Sequence, residues 1–323
     1  PHAHCRGTLY MVPAGLAGAA VVLASALVVD RLVGDPHSRY HPVALLGTFI
    51  GWWGRPERYS PNLQRVAGVL GWLLTVTIFT LPFLLVTVFT HGILYLLLAP
   101  FLLKCCFAWR SLEEHTRAVA DALQDGEAAG REKVSMLVSR NTATLDREHI
   151  LSAGYESMTE NLTDSIISPL AFFAVFSLPG AAAYRAVNTM DAMLGYRDER
   201  ERLGWCAARM DDICNFIPAR VTALILLAWF LCTGTARDAL RVMRRDRHNR
   251  PGFNGGIVMA AMAGGTKTRF EKPGAYVIGD GQRPLKEAGP DILRAARATI
   301  LLFAVMVCSV LFLLGTMINS TGI

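Results

Sequence analysis

The chain has 323 residues, 52% of them hydrophobic and 18% charged, with a formal charge of +6 and a mean hydropathy of +0.34. A soluble domain carries about 25% charged residues; a large soluble core could also shift the balance this way, so the length of the apolar runs decides. The positive balance does not point to nucleic acid, because the basic residues are interleaved with acids and bordered by long apolar runs.

In chain order, Pro1 to Tyr10 reads as an extension or a processed end, with Met11 the expected natural start; His2 and His4 carry little weight as metal ligands. Val12 to Val29 is uncharged and stops at Asp30. It lacks a strongly basic leader and a small-residue cleavage site, so it reads as a retained span and not as a secretory signal. Gly34-Asp35-Pro36 and His41-Pro42-Val43 follow and force a turn, with Asp35 and His41 at the membrane surface. The bland roles there are a helix cap for Asp35 and an interfacial position for His41.

Val66 to Thr90 is uncharged, and a second run from 92 to 109 follows it, with Lys104 snorkelling to the interface. A bilayer core of about 30 Å needs about 20 apolar residues in a helix. Thr299 to Asn319 meets that length again. Ile166–Ala183, interrupted by Pro169, Pro179 and Gly180, and the short run Val221–Thr233 are expected either to cross or to dip in and return. The fold class expected is therefore all-α, a polytopic integral membrane protein forming one membrane-embedded domain over 1–323. Four full spans (about 12–29, 66–90, 92–109 and 299–319) join two short re-entrant or interfacial helices. Every Lys and Arg except Arg6 lies between Arg31 and Arg297. Positive-inside logic then puts the polar segments 30–65, 110–165, 184–220 and 234–298 on the cytoplasmic side of the cell membrane, with both termini outside. Seven cysteines form no CxxC pair, and neither disulfides nor zinc are expected.

The polar segments carry the candidate chemistry. Glu156, Glu160 and Asp164 fall at i, i+4 and i+8 on one helix face. Like charges at that spacing repel, so arginines or a divalent metal should lie beside them; an oxygen-only ligand set suits magnesium. Ser139-Arg140-Asn141-Thr142 precedes this face. Arg185, Asn188 and Asp191 form a third set, and Asp211, Asp212, Asn215 and Arg220 a fourth. Each alone reads as a solvated or capping arrangement; together they bracket the two short apolar segments, where ionisable groups are costly unless paired. The run Arg237–Arg250 reads as a juxtamembrane helix meeting anionic headgroups, with an anionic substrate as the sharper alternative. Ala263 to Thr268 lacks the GxxxxGK[ST] spacing of a phosphate loop.

The stretches GDPHSRYHPVALLG (34–47), SMLVSRNTATLD (135–146), AGYESMTENLTDSIISPL (153–170), AYRAVNTMDAMLGYRDE (183–199) and GWCAARMDDICNFIPARVTAL (204–224) occur in this order. With a looser FNGGIVMAAMAGG (253–265), they resemble the adenosylcobinamide-phosphate synthase family of cobalamin biosynthesis (the CobD/CbiB family). The resemblance implies a membrane-associated amide ligase, using ATP and Mg2+, that joins a carboxylate of the corrinoid adenosylcobyric acid to aminopropanol phosphate or a related amino-alcohol phosphate. By matching motifs, Glu160, Asp164, Asp191 and Asp212 are the candidate catalytic residues, and Glu160, Asp164, Asp211 and Asp212 the candidate metal ligands. Asp35, His41, Arg140, Asn161, Arg185, Asn188, Asn215 and Arg220 are the candidate substrate-binding residues, with Asp35 and His41 lining the same mouth. Asn141 stands where the family pattern has Asp, Ala192 where it has Ser, and Met259 where it often has Glu. Expected partners are the substrates, the lipid bilayer and other enzymes of the pathway, with no nucleic acid; an oligomer is compatible. Two other readings remain open at this point: a non-catalytic sensor or accessory protein of the AmpE-like kind, and a transporter with broken helices.

Overall fold

The computed structural model describes residues 15–35 and 39–321. The expectations placed on Pro1 to Ala14 and on Pro36 lie outside these residues. Six helical stretches are long and apolar enough to cross a membrane: Gly15–Val33, Gln64–Phe89, Gly92–Ala122, Arg147–Leu194, Glu201–Cys232 and Leu285–Ile318. The two short apolar segments lie inside the fourth and fifth of these, so each is part of a helix of spanning length. The fourth is interrupted at Ser177, whose backbone (φ 59, ψ −158) is not helical, two residues before Pro179. The polar segments are themselves mostly helical.

Contacts group the described residues into two compact units: those within 15–107, 169–208 and 304–321, and those of 108–168 with 209–303. The first unit contains α1 (Gly15–Val33), α2 (Pro42–Trp53), α3 (Gln64–Phe89) and α4 (Gly92–Lys104). It also takes most of α8 (Ser168–Leu194) and the ends of α9 (Glu201–Cys232) and α12 (Leu285–Thr321). Its core joins Leu46, Ile50 and Trp53 of α2 to Ala186, Met190 and Leu194 of α8 and to Leu203 and Ala207 of α9. Close backbone approach is set by glycine: a Cβ on Gly68 would stand 2.0 Å from the Leu203 carbonyl oxygen, and one on Gly204 1.9 Å from that of Leu194. The Trp53 indole N–H donates to Thr75 Oγ1 at 3.0 Å, so the one polar atom of that large side chain is satisfied where it is buried.

The second unit is built around α7 (Arg147–Leu162), in which every residue from Ile150 to Thr159 is buried. Asp146 caps it by accepting from the His149 N–H at 3.0 Å, and that hydrogen bond holds the Asp146 carboxyl below the usual carboxylate range. Helices α5 (Trp109–Ala122) and α6 (Glu127–Ser135) pack on α7. A second pair, α10 (Ala236–Asp246) and α11 (Gly255–Thr266), packs through small residues. A Cβ on Gly264 would stand 2.6 Å from the Asp238 carbonyl oxygen. The Ala-Gly-Gly sequence near 264 is thus a helix-packing surface and not a phosphate loop. One element departs from the all-helical expectation: an antiparallel hairpin of β1 (Arg269–Lys272) and β2 (Tyr276–Gly279), in register Lys272 opposite Tyr276. Gly274, at φ +72, supplies the left-handed residue of its turn.

Candidate functional site

The second unit holds a polar cavity of about 350 Å³ whose lining includes Arg140, Glu156, Ser157, Glu160, Asn161 and Arg250, with Lys272 and Tyr276 from the hairpin. Glu156 is 5% exposed, and an ionised carboxylate at that depth must be heavily hydrogen-bonded. It is: Ser152 Oγ donates to Oε1 at 2.6 Å, Tyr276 OH to Oε2 at 2.6 Å, and Arg140 Nη2 to Oε1 at 3.3 Å. The Ser152 hydroxyl in turn accepts from the Glu271 N–H at 2.7 Å, tying the hairpin to α7. Burial, and then the Glu156 carboxylate, push the Tyr276 phenol up, so it stays a proton donor.

One turn along α7, Glu160 accepts from Arg250. Burial pulls the Arg250 guanidinium down, but Glu160, Tyr276 and Asp164 outweigh it and hold it above its ordinary value. The carboxylate face expected at Glu156, Glu160 and Asp164 therefore has its counter-cations, and they are Arg140 and Arg250. Asp164 sits in a π-helical turn, Thr163–Ile167, between α7 and α8; such turns are frequent at functional sites. Asn161 donates to the Ser157 carbonyl at 2.9 Å and accepts from Ser165 Oγ at 2.8 Å. Arg140 Nε and Nη1 are buried and have no hydrogen-bond partner among the described residues, leaving donors available to a ligand in the cavity.

The fourth expected set is also in this unit. Asn215 donates to Asp211 Oδ2 at 3.0 Å and accepts from Ser168 Oγ at 2.5 Å. Among the described residues Arg220 does not reach a carboxylate. It donates to Asn254 Oδ1 at 2.6 Å and to the Phe253 carbonyl at 3.1 Å, while Asn254 donates to the Asp212 carbonyl at 2.8 Å. Among the described residues no three His, Cys, Asp or Glu side chains gather as a metal-holding group, so Glu160, Asp164, Asp211 and Asp212 form no all-protein cage.

Asp35, His41, Arg185, Asn188 and Asp191 lie in the first unit. Lys104 is 5% exposed there, paired with Asp35 and 3.7 Å from the fully buried Asp30. It does not snorkel, because two carboxylates meet it in place. His41, and not Asp35, caps α2, its Nδ1 accepting from the Val43 N–H at 3.3 Å. Burial holds the His41 imidazole below its ordinary value; Asp35 opposes that shift, while Lys104 and Arg185 reinforce it.

Sequence reasoning placed Glu156 on the acidic face without a role and missed Arg250, Lys272 and Tyr276. Arg250 closes the run taken for a juxtamembrane helix, in which Arg241 and Arg245 pair with Asp280 at 2.5 and 2.7 Å. The signal for Arg250 was the unpaired acidic face on α7; Lys272 and Tyr276 carry no motif.

The family model described as CobD/Cbib protein matches residues 23–311. A probable cobalamin biosynthesis protein CobD from Methanothermobacter thermautotrophicus is 37% identical over 91% of this chain and 98% of its own length. Its counterpart from Thermococcus kodakarensis is 41% identical over 90% and 94%. The cobalamin biosynthesis protein CobD of Pelobacter propionicus is 38% identical over 88% and 93%. No solved structure matches. Matched along nearly its whole length by the family model and by these relatives, the chain belongs to the CobD/Cbib protein family and, with it, to cobalamin biosynthesis.

Proposed function

We propose that the chain is an amide-forming ligase that joins adenosylcobyric acid to aminopropanol phosphate, or a related amino-alcohol phosphate, at the expense of ATP. The observation that supports this most is the cavity of the second unit, in which Arg140, Arg250 and Lys272 face Glu156 and Glu160 and two Arg140 nitrogens have no partner among the described residues. Such a site suits a small phosphorylated amine. Its volume of about 350 Å³ admits that amine and a reacting carboxylate group, while a corrin ring remains outside.

An amine does not displace oxide from a free carboxylate, so activation comes first. A carboxylate oxygen of adenosylcobyric acid attacks the terminal phosphorus of ATP and ADP leaves. The amine nitrogen then attacks the acyl carbon, phosphate leaves, and the nitrogen loses a proton. Arg140 and Arg250 would hold phosphoryl oxygens through charge-assisted hydrogen bonds, and Glu160 would take the proton from the amine. The donor set fits magnesium in its usual mode, one or two carboxylates with water and phosphate completing the shell. Glu160 and Asp164 are the residues that would hold it, where it would neutralise charge on the transferring phosphoryl group. Asp191 and Asp212 as further acid/base groups, Asp211 as a further ligand, and Asp35, His41, Asn161, Arg185, Asn188, Asn215 and Arg220 as substrate contacts belong to the same proposal.

The helical spans suit a cell-membrane enzyme, proposed to work at the cytoplasmic face with both termini outside. An even number of crossings, four or six, keeps the termini on one side. Glu160→Ala is expected to lower the rate of amide formation by at least about a hundredfold, the lower end for a lost general base. Its melting temperature and elution profile should stay those of a folded protein. Full activity in Glu160→Ala would remove Glu160 from the site.

A further inference from the structure

The second unit contains another, larger cavity, of about 850 Å³, to which the proposed reaction assigns nothing. Five cations line it: Arg117, Arg147, Lys286, Arg294 and Arg297. Asp121 is the acid in the lining. Glu113 is shared between Arg117 and Arg297, and Asp291 between Arg294 and Arg283. Among the described residues three carboxylates thus serve these five cations, one of them shared with Arg283, so at least two positive charges are left over. Leu151, Tyr155, Pro290 and Leu293 give the cavity an apolar wall.

Two features say what kind of anion fits. First, the cavity adjoins the base of one span: Lys286, Arg294 and Arg297 lie on the part of α12 that leads into its apolar run, while Arg117 of α5 and Arg147 of α7 come from the polar helices of the same unit. Arg294 and Arg297 immediately precede the uncharged run that begins at Thr299. Second, Arg147, Leu151 and Tyr155 occupy the face of α7 opposite the one that carries Glu156 and Glu160. A phosphoryl group held here would have the buried helix between itself and the polar cavity, so this is not where a phosphoryl donor for the proposed reaction would sit.

Basic pockets at the ends of spanning helices recognise anionic headgroups. We propose that this cavity binds the phosphate headgroup of an anionic bilayer phospholipid, with the first carbons of its acyl chains against Leu151, Pro290 and Leu293. The inference is independent of the ligase reading and would stand if the reaction were different.

The test uses the delipidated full chain, titrated in detergent with phosphatidylglycerol or phosphatidylcholine and followed by native mass spectrometry. The expected result is one retained phosphatidylglycerol and no comparable retention of phosphatidylcholine. Lys286→Gln/Arg294→Gln alters two exposed side chains and should weaken retention about thirtyfold, given the contribution of each basic residue near a headgroup. Arg237→Gln/Arg244→Gln, which neutralises two arginines outside the cavity, should leave retention unchanged. Equal retention of both lipids, or an unchanged Lys286→Gln/Arg294→Gln variant, would overturn the proposal. Displacement of the lipid by millimolar inorganic phosphate would also overturn it, making the occupant a soluble anion.

Discussion

Glu156 accepts from three side chains on three segments, Ser152, Arg140 and Tyr276, so its removal should be felt beyond the cavity. Arg140 would be left buried without the one ion pair it makes among the described residues, and breaking a buried pair by deleting one partner costs about 3–5 kcal/mol. Glu156→Ala is expected to lower the melting temperature in detergent clearly. Tyr276→Phe, which deletes one of the three donors, should cost about 1–3 kcal/mol. An unchanged melting temperature in Glu156→Ala would mean that the pair contributes nothing. The carboxylates of this site were legible because helical spacing alone puts 156, 160 and 164 on one face and demands cations beside them. Which cations was not legible. Arg250 lies ninety positions from Glu160 and Tyr276 more than a hundred from Glu156, and no local rule relates residues so far apart. Similarly, Lys104 read as a snorkelling side chain because the two acids that hold it, Asp30 and Asp35, lie in a different helix and turn.

At the scale of elements, apolar run length located the spans, since a helix that must cross about 30 Å declares itself by composition. At 166–183 and 221–233 run length left crossing and dipping both open, because those helices continue into polar sequence and their apolar part alone is short. The hairpin at 269–279 was invisible for a different reason: two strands of four residues offer too short an alternation to detect. Helix approach is set at particular glycines, and this gives a sharp comparison within the first unit. A Cβ at Gly68 meets backbone, the Leu203 carbonyl oxygen at 2.0 Å, whereas one at Gly47 has nothing closer than the Met193 sulfur at 3.8 Å. Gly68→Ala should therefore cost about 1–3 kcal/mol of overpacking. Gly47→Ala, in the interior of α2, should be neutral or stabilising by about 0.5–1 kcal/mol. Thermal melting of the two variants in one detergent checks this; equal melting temperatures would contradict the close approach of α3 to Leu203.

For the whole molecule, the two compact units divide the expected site residues. The second unit holds the acidic face, its two arginines and the Asp211–Asn215–Ser168 chain of hydrogen bonds. The first holds the buried Lys104 with Asp30 and Asp35, next to the capping His41. The six apolar helices among the described residues and the match to the CobD/Cbib family model fit a membrane protein of cobalamin biosynthesis. Amide formation is the activity proposed for this chain. The detergent-purified chain, given adenosylcobyric acid, aminopropanol phosphate, ATP and magnesium, should yield a product of the condensed mass by mass spectrometry. Product should appear in step with ADP and be lost in Glu160→Ala. Folded protein that forms no such product beside an active family member, or forms it without consuming ATP, would contradict the account.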